Sequence, residues 1–478
     1  MKVLLIDPPD TFSVYGRIGK RMPPFAPSLG LAYIAATLER NSISIKLLDA
    51  RGNNSTIENI LEEVKKYDPH IVGITCMTPS FAISVEIAKT IKSNYNDTCI
   101  IMGGPHVTPT AKDILEKQPF VDIAVIGEGE NTMLDIAKGM NLAEISGIAY
   151  RSNGDVVINN KRPLTRNLDT IPFPARHLYN LNSYHQPIHE SYGTPLTTVM
   201  TSRGCPYDCS FCSSKITFGR SIRYRSVGSV MEEIDHLIQK YRIKGIKFAD
   251  DTFTLNEKRL EHLCCEIRKR KIYWIGNSRV ETLNKDILAL MKYSGCKLLQ
   301  FGVESGDPTI QRELKKTDNL EQTQRVFAWA HELKLDTAAT FIFGAPSETW
   351  ETVNKTITFA IQIKPTYANF FILSPYPGTE IYEYMKAHGM MRIKDWTEVK
   401  SPKYQDFIIN HPRFTHQELS EIQKYAYKKF YSNKQYIFSL LTKIDSWKKL
   451  RNYVNLALTA LNFIKKNKIS TYRRKSWT

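Results

Sequence analysis

The sequence predicts an α/β protein in three parts: a doubly wound parallel sheet, a partial (β/α)6 barrel, and a helical, basic C-terminal region. Three observations carry this reading. Short, almost wholly apolar runs alternate with helical patterns over the first 145 residues, as expected of parallel strands covered on both faces. A second strand–helix series begins near Thr197, after the proline-marked stretch Ile171-Pro172-Phe173-Pro174. Three cysteines, Cys205, Cys209 and Cys212, follow the first strand of that second series.

In the first part, strands are expected over 2–7, 43–49, 71–76, 99–102 and 123–126. Helices are expected over 28–40, 57–66, 81–93, 111–117 and 132–138. Open α/β sheets bind ligands beyond the carboxyl ends of their strands. Those ends include Thr75-Cys76-Met77-Thr78, Gly103-Gly104-Pro105-His106 and Gly127-Glu128-Gly129-Glu130. Their glycines let a ligand approach the backbone closely. Neither a G-x-G-x-x-G fingerprint after the first strand nor a Walker lysine loop is present, so a dinucleotide or P-loop site is not expected.

Next, 148–150 and 156–158 flank a Gly-containing turn and read as a hairpin. The barrel strands are expected over 198–201, 245–249, 274–277, 298–303, 336–343 and 369–373. Six units are too few to close the usual eight-stranded barrel, so an open one is expected. The domain boundaries follow as 1–145, 146–195, 196–395 and 396–478.

Composition narrows the setting. No run of 18 apolar residues occurs, so no spanning helix is expected. The start MKVLLIDPPD turns acidic too soon for a signal peptide and reads as a strand. A cytoplasmic, reducing setting is expected, and the eight cysteines are then not a disulfide framework. Cys76, Cys99, Cys264, Cys265 and Cys296 read as small core residues.

The net charge is +17, and from Lys424 onward 14 Lys and Arg face one acid, Asp445. That segment interleaves its charges with Tyr425, Tyr427, Phe430, Tyr431, Tyr436 and Phe438, and it ends with Lys465, Lys466, Lys468, Arg473, Arg474 and Lys475. One reading is a helical cap with a solvated basic face. Another is peripheral contact with the inner surface of a membrane. No RNA-binding signature is present, so nucleic acid is not an expected partner.

The thiol loop reads Cys205-Pro206-Tyr207-Asp208-Cys209-Ser210-Phe211-Cys212. Zinc sites usually take four ligands, and no fourth cysteine or patterned histidine lies nearby. An iron–sulfur cube normally takes four thiolates, so three leave one iron open to a substrate.

This three-then-two spacing, with Phe211 before the last cysteine, resembles the radical S-adenosylmethionine superfamily. The resemblance implies a [4Fe-4S] cluster whose open iron is chelated by S-adenosylmethionine. A one-electron donor such as flavodoxin or ferredoxin then drives cleavage to a 5′-deoxyadenosyl radical. It further implies that Asp250 and Asp251 meet the methionine amino group, although the family's Gly-Gly-Glu-like glycines are missing here. Arg279 would meet the carboxylate, Glu304 with Ser305 the ribose, and Gly344 the adenine.

The first part, with Pro-Ser-Leu-Gly-Leu-Ala at 27–32, resembles the cobalamin-binding domain of the B12-dependent radical enzymes. That implies cobalamin contacts from Thr78, Gly103, Gly104, Pro105, His106, Gly127, Glu128 and Gly129. Many such domains offer a cobalt-ligating histidine after the first strand. Asp7-Pro8-Pro9-Asp10-Thr11-Phe12 has none, and His106 reads as a hydrogen-bonding residue. Methylthiotransferases need three N-terminal cysteines, and only Cys76 and Cys99 precede Cys205. The layout resembles the branch with anaerobic magnesium-protoporphyrin ester cyclase and hopanoid-modifying enzymes. It implies C-methylation of an unactivated carbon of a small molecule, and the basic tail, read as a membrane contact, makes a lipid-like or apolar substrate the expectation. The alternatives are radical oxidative cyclisation or rearrangement, or an RNA- or membrane-binding protein with a structural cluster.

Overall fold

The computed structural model describes residues 1–9, 26–185, 187–316, 319–399 and 408–441, with 444, 450, 453 and 454 beyond them. Its first sheet contains β1 (Lys2–Asp7), β2 (Ser44–Asp49), β3 (Ile71–Thr75), β4 (Cys99–Gly103), β5 (Ile123–Val125), β6 (Ile148–Ser152) and β7 (Asp155–Ile158). The strand order is β2-β1-β3-β4-β5-β6-β7. β1 to β5 run parallel. The order reverses between β1 and β3, and a crevice opens at such a switch point. Val3, Leu4, Leu5 and Ile6 are all buried, because helices cover both faces.

The hairpin expected between the two main parts is instead the antiparallel edge of this sheet, with β6 on β5 and β7 on β6. Its turn residues Asn153 and Gly154 both have positive φ, 50° and 91°. That pair gives the mirror-image turn whose twist matches the flanking strands.

The second sheet holds β8 (Leu196–Val199), β11 (Gly245–Phe248), β12 (Tyr273–Ser278), β13 (Cys296–Glu304), β14 (Asp336–Phe343) and β15 (Tyr367–Ile372), in the order β15-β14-β13-β12-β11-β8. All neighbours are parallel, and the barrel is open between β15 and β8. A two-stranded ribbon, β9 (Ser202–Arg203) with β10 (Arg223–Tyr224), brackets the thiol loop. The first barrel strand therefore stops at Val199, earlier than its sequence pattern predicts.

Strand side chains alternate. Ile246, Phe248, Trp274, Leu299, Phe301, Phe341, Phe343 and Phe370 face the surrounding helices and form the main core. Tyr273, Ile275, Leu298, Ala338 and Tyr367 face inward and pack with Tyr192 and Leu196 as a floor. Cys76, Cys264 and Cys296 are core residues as expected, whereas Cys265 is exposed on the helix Glu257–Lys269.

β15 would leave unpaired backbone groups at the open edge. The helix His416–Tyr431 covers it. The Tyr431 hydroxyl donates to the Ala368 carbonyl at 2.9 Å and lies 3.1 Å from the Ala368 N–H, which donates to it. The Phe370 N–H donates to the Tyr427 hydroxyl at 3.3 Å, and Gln423 Nε2 donates to the Phe370 carbonyl at 2.7 Å. Phe430 and Tyr436 are buried behind them. Several of the aromatics in the basic segment are thus a cap on the barrel. Lys465, Lys466, Lys468, Arg473, Arg474 and Lys475 lie outside the described residues, as do Asp10, Thr11 and Phe12. Among the described residues no helix is long and apolar enough to cross a membrane.

Tyr431→Phe should cost about 1–3 kcal/mol, since it leaves a buried N–H and C=O without partners. Phe438→Ala, on an exposed position, should change stability by less than about 0.5 kcal/mol. Urea unfolding followed by circular dichroism compares the two. Equal losses would contradict the edge-capping role.

Candidate active site

The thiol loop starts at Gly204, whose φ is +90° and whose Cβ, if present, would lie 2.6 Å from the Ser221 carbonyl oxygen. Only glycine fits there. The loop is then stitched to two short helices, Pro308–Glu313 and Glu380–Ala387. Ser210 N–H donates to the Leu314 carbonyl at 3.0 Å, and Ile381 N–H donates to the Ser210 carbonyl at 3.0 Å. Phe211 packs with Ile310, Leu314 and Ala345.

Cys209 is buried, and Cys205 and Cys212 are half-buried. Cys205 Sγ lies 3.8 Å from Thr252 Oγ1. Arg279 Nη1 donates to Cys209 Sγ at 3.3 Å. The same guanidinium lies 3.7 Å from the Tyr207 ring centre and pairs with Glu281 at 3.1 Å. Burial pushes the Cys212 thiol up, and Asp251 and the other two thiols push it further. Among the described residues, no three or more Cys, His, Asp or Glu side chains form a cage for one metal ion. A cube binds each thiolate at a different iron, so its ligands stand apart. Three soft thiols on one glycine-started loop fit that group.

Asp250 does not face the site as the resemblance implied. It is buried and accepts from Thr201 N–H at 3.2 Å, Thr201 Oγ1 at 2.9 Å and Ser202 Oγ. It bends the chain out of β8 and is a structural bracket. Its neighbour Asp251 is reached by solvent and bonds Ser214 Oγ. Burial around it still pushes its carboxyl pKa up, as in a concave site.

Glu304 is buried with φ +68°, a conformation non-glycine residues rarely adopt. Gly302 makes room for it: a Cβ there would lie 2.1 Å from Glu304 Oε1. Lys316 Nζ sits 3.5 Å from the same oxygen, and burial raises the carboxyl pKa against it. Ser305 is a second correction. Its hydroxyl is buried against Thr356 Oγ1 at 2.9 Å and accepts from Asp307 N–H at 3.1 Å. Gly344 has φ +93° and donates its N–H to Glu348 Oε2 at 2.7 Å. Glu348, absent from the sequence reading, is fully buried, and burial pushes it up to about 8.

At the end of β4, a Cβ on Gly104 would lie 2.7 Å from the Cys76 carbonyl oxygen. Glycine there brings the ends of β3 and β4 together. His106 Nδ1 bonds Thr78 Oγ1 at 3.1 Å, and its ring lies 4.3 Å from that of Phe81. Its buried Nε2 has no partner among the described residues. Burial pushes this imidazole down to about 4, so it is neutral at pH 7. Pro105 is exposed. Gly127 has φ +83°, and a Cβ there would meet nothing within 4 Å. Gly129 packs under Ile34. Tight glycines, one orphaned nitrogen and open space beside Gly127 make a cradle that fits a large planar ligand.

Glu128 is the third correction. Its carboxylate is occupied by Arg203 Nη1 at 2.9 Å, Arg223 Nη1 at 2.9 Å and Thr165 N–H at 2.9 Å. Glu130 takes Arg203 Nη2 at 2.6 Å. All four charged side chains are buried or nearly so. A second bridge places Glu233 between Arg176, at 2.6 Å, and Arg225. Sequence reading missed these pairs, because all but Arg225–Glu233 join partners between 57 and 95 positions apart.

An α/β domain with glycine-lined strand ends thus precedes an open barrel whose first loop carries three thiols, the layout of a two-cofactor radical enzyme. Family models agree: residues 18–137 match the B12 binding domain, and residues 199–360 match the radical SAM superfamily. An uncharacterized methyltransferase of Pyrococcus horikoshii is 37% identical over 437 residues, covering 90% of this chain and 92% of its own. Anaerobic magnesium-protoporphyrin IX monomethyl ester cyclase of Cereibacter sphaeroides is 27% identical, covering 85% and 67%. The fold matches the radical S-adenosylmethionine methyltransferase TsrM of Kitasatospora setae, with a TM-score of 0.69 and 17% identity over 97% of this chain and 99% of that one. The chain belongs to the radical S-adenosylmethionine enzymes that carry a B12-binding domain, and its cofactors are a [4Fe-4S] cluster, S-adenosylmethionine and cobalamin.

Arg203→Ala should cost about 3–5 kcal/mol, because Glu130 is left buried without its cation. Arg203→Lys should recover only part, since one ammonium lacks the fork that serves two carboxylates. Chemical unfolding reads both. A loss under about 0.5 kcal/mol for Arg203→Ala, the size of an ordinary surface change, would contradict the clamp.

Proposed function

We propose that this enzyme methylates an unactivated carbon of a small molecule. One observation carries the reading: Arg203, two residues before Cys205, is gripped by Glu128 and Glu130 at the end of β5. The thiol loop and the glycine-lined strand ends are thereby held as one site. The name of the Pyrococcus horikoshii relative and the fold of TsrM support methyl transfer.

Cys205, Cys209 and Cys212 would hold the cluster, and Phe211 would wedge the loop against Ala345. Arg279, Asp251, Glu304 and Gly344 would receive S-adenosylmethionine. Arg279 is suited to its carboxylate, and also donates to Cys209 Sγ. Thr78, Gly103, Gly104, Pro105, Gly127 and Gly129 would receive cobalamin, with His106 donating or accepting a hydrogen bond. When bound, the cluster and S-adenosylmethionine supply one-electron carbon–sulfur cleavage, and cobalamin supplies a methyl carrier. A flavodoxin or ferredoxin would supply the electron.

A cytoplasmic location with peripheral membrane contact belongs to the same proposal. Ile437 and Phe438, exposed beside Lys434, support the contact, while Phe430 and Tyr436 are committed to the barrel cap. The relative named as a cyclase keeps radical cyclisation as a second reading.

Anaerobic reconstitution tests both. Replacing Cys205, Cys209 and Cys212 by Ala should abolish iron binding, whereas Cys264→Ala should retain it. The wild type should retain a corrinoid and form S-adenosylhomocysteine together with 5′-deoxyadenosine. A triple mutant with full iron content would overturn the cluster ligands. Turnover that yields 5′-deoxyadenosine without S-adenosylhomocysteine would favour cyclisation.

A further inference from the structure

Above its aromatic floor the barrel interior turns polar. Lys247 lies on β11, in register with Thr198 on β8 and Ile275 on β12. Its sequence neighbours Ile246 and Phe248 belong to the outer core. Alternation therefore points Lys247 inward. Nearer the strands' carboxyl ends on the same face come Asn277, Gln300, Thr340 and Asn369. Each of these five polar residues is half-buried, so water reaches the interior.

Lys247 has no ion pair and no hydrogen bond among the described residues. Gln300 and Asn369 likewise make no side-chain hydrogen bond there. Thr198 is 6% exposed, and its Oγ1 has no partner among the described residues. Burial alone pushes the Lys247 pKa down, and no carboxylate pulls it back. Burial lowers the pKa of His189, and the Lys247 ammonium lowers it further. A lysine inside a protein is ordinarily paired. Among the described residues no carboxylate pairs with it, since the buried Asp336 of the floor is taken up by Tyr192 and Thr366, and an unpartnered hydroxyl faces the same row.

We infer that Lys247 and Thr198 receive an anionic group of the substrate, a carboxylate or a phosphate, inside the barrel. This deepens the methylation reading, on which its placement of the substrate rests. The anion would sit near the floor, with the rest of the molecule rising past Asn277, Gln300, Thr340 and Asn369 toward the end that carries the thiols. A wholly apolar substrate would leave the cation unanswered, so the substrate is at least amphiphilic.

The test is competitive acylation of the reconstituted full-length protein, with Lys247 modification read by mass spectrometry. It is run with inorganic phosphate, with acetate, and with sodium chloride at matched ionic strength. An anion at ten times its dissociation constant leaves about a tenth of the sites free, so labelling of Lys247 should slow about tenfold. Protection by phosphate identifies a phosphate-bearing substrate, and protection by acetate a carboxylate. Equal labelling in all three, or equal slowing by chloride, overturns the assignment. The readout needs no turnover, so failure to form S-adenosylhomocysteine would count against methylation and leave this result standing.

Discussion

Arg203 holds two buried carboxylates at once, and the geometry of the site hangs on it. Glu128 and Glu130 come from the loop after β5, while Arg203 sits in the ribbon that leads into Cys205. Neither carboxylate would tolerate burial alone. Docking the two domains therefore neutralises charges that each would otherwise hold unpaired. Arg223 adds a second cation to Glu128, and Arg176 and Arg225 do the same for Glu233. Charge pairs of this kind define register more than they add stability. The register they define sets the ribbon that leads into the thiol loop beside Glu128 and Glu130.

The open barrel follows from a related constraint. Six strands leave an edge at β15, and phenol groups of the helix His416–Tyr431 stand in for a missing neighbour. On the other side, β8 ends early because Asp250 collects Thr201 and Ser202. That early end frees the chain for the ribbon and the thiol loop. The interior stays accessible, which is why half-buried polar residues persist along its wall.

Much of this was legible in the sequence. Apolar runs such as Val3–Ile6 announce doubly covered strands, and the thiol spacing announces one loop around one centre. The finer assignments failed where chemistry alone cannot separate neighbours. Asp250 and Asp251 are adjacent carboxylates after one strand, yet one braces the backbone and the other is exposed and bonds Ser214. Ser305 follows Glu304, but a left-handed residue turns the chain and sends the serine into a cap. Glu128 sits at a strand end, where ligands bind, but its partner is an arginine that only the folded chain brings near. The hairpin after β5 looked like part of a linker, because its partner edge is set by the sheet and not by its own residues.

If the clamp joins both binding ends into one gap, the two cofactors lie within magnetic contact. Electron paramagnetic resonance of the chain carrying both cobalt(II) cobalamin and the reduced cluster measures this directly. Mutual broadening or splitting of the two signals is the predicted result. A spectrum that is the plain superposition of the two singly loaded forms would contradict the account.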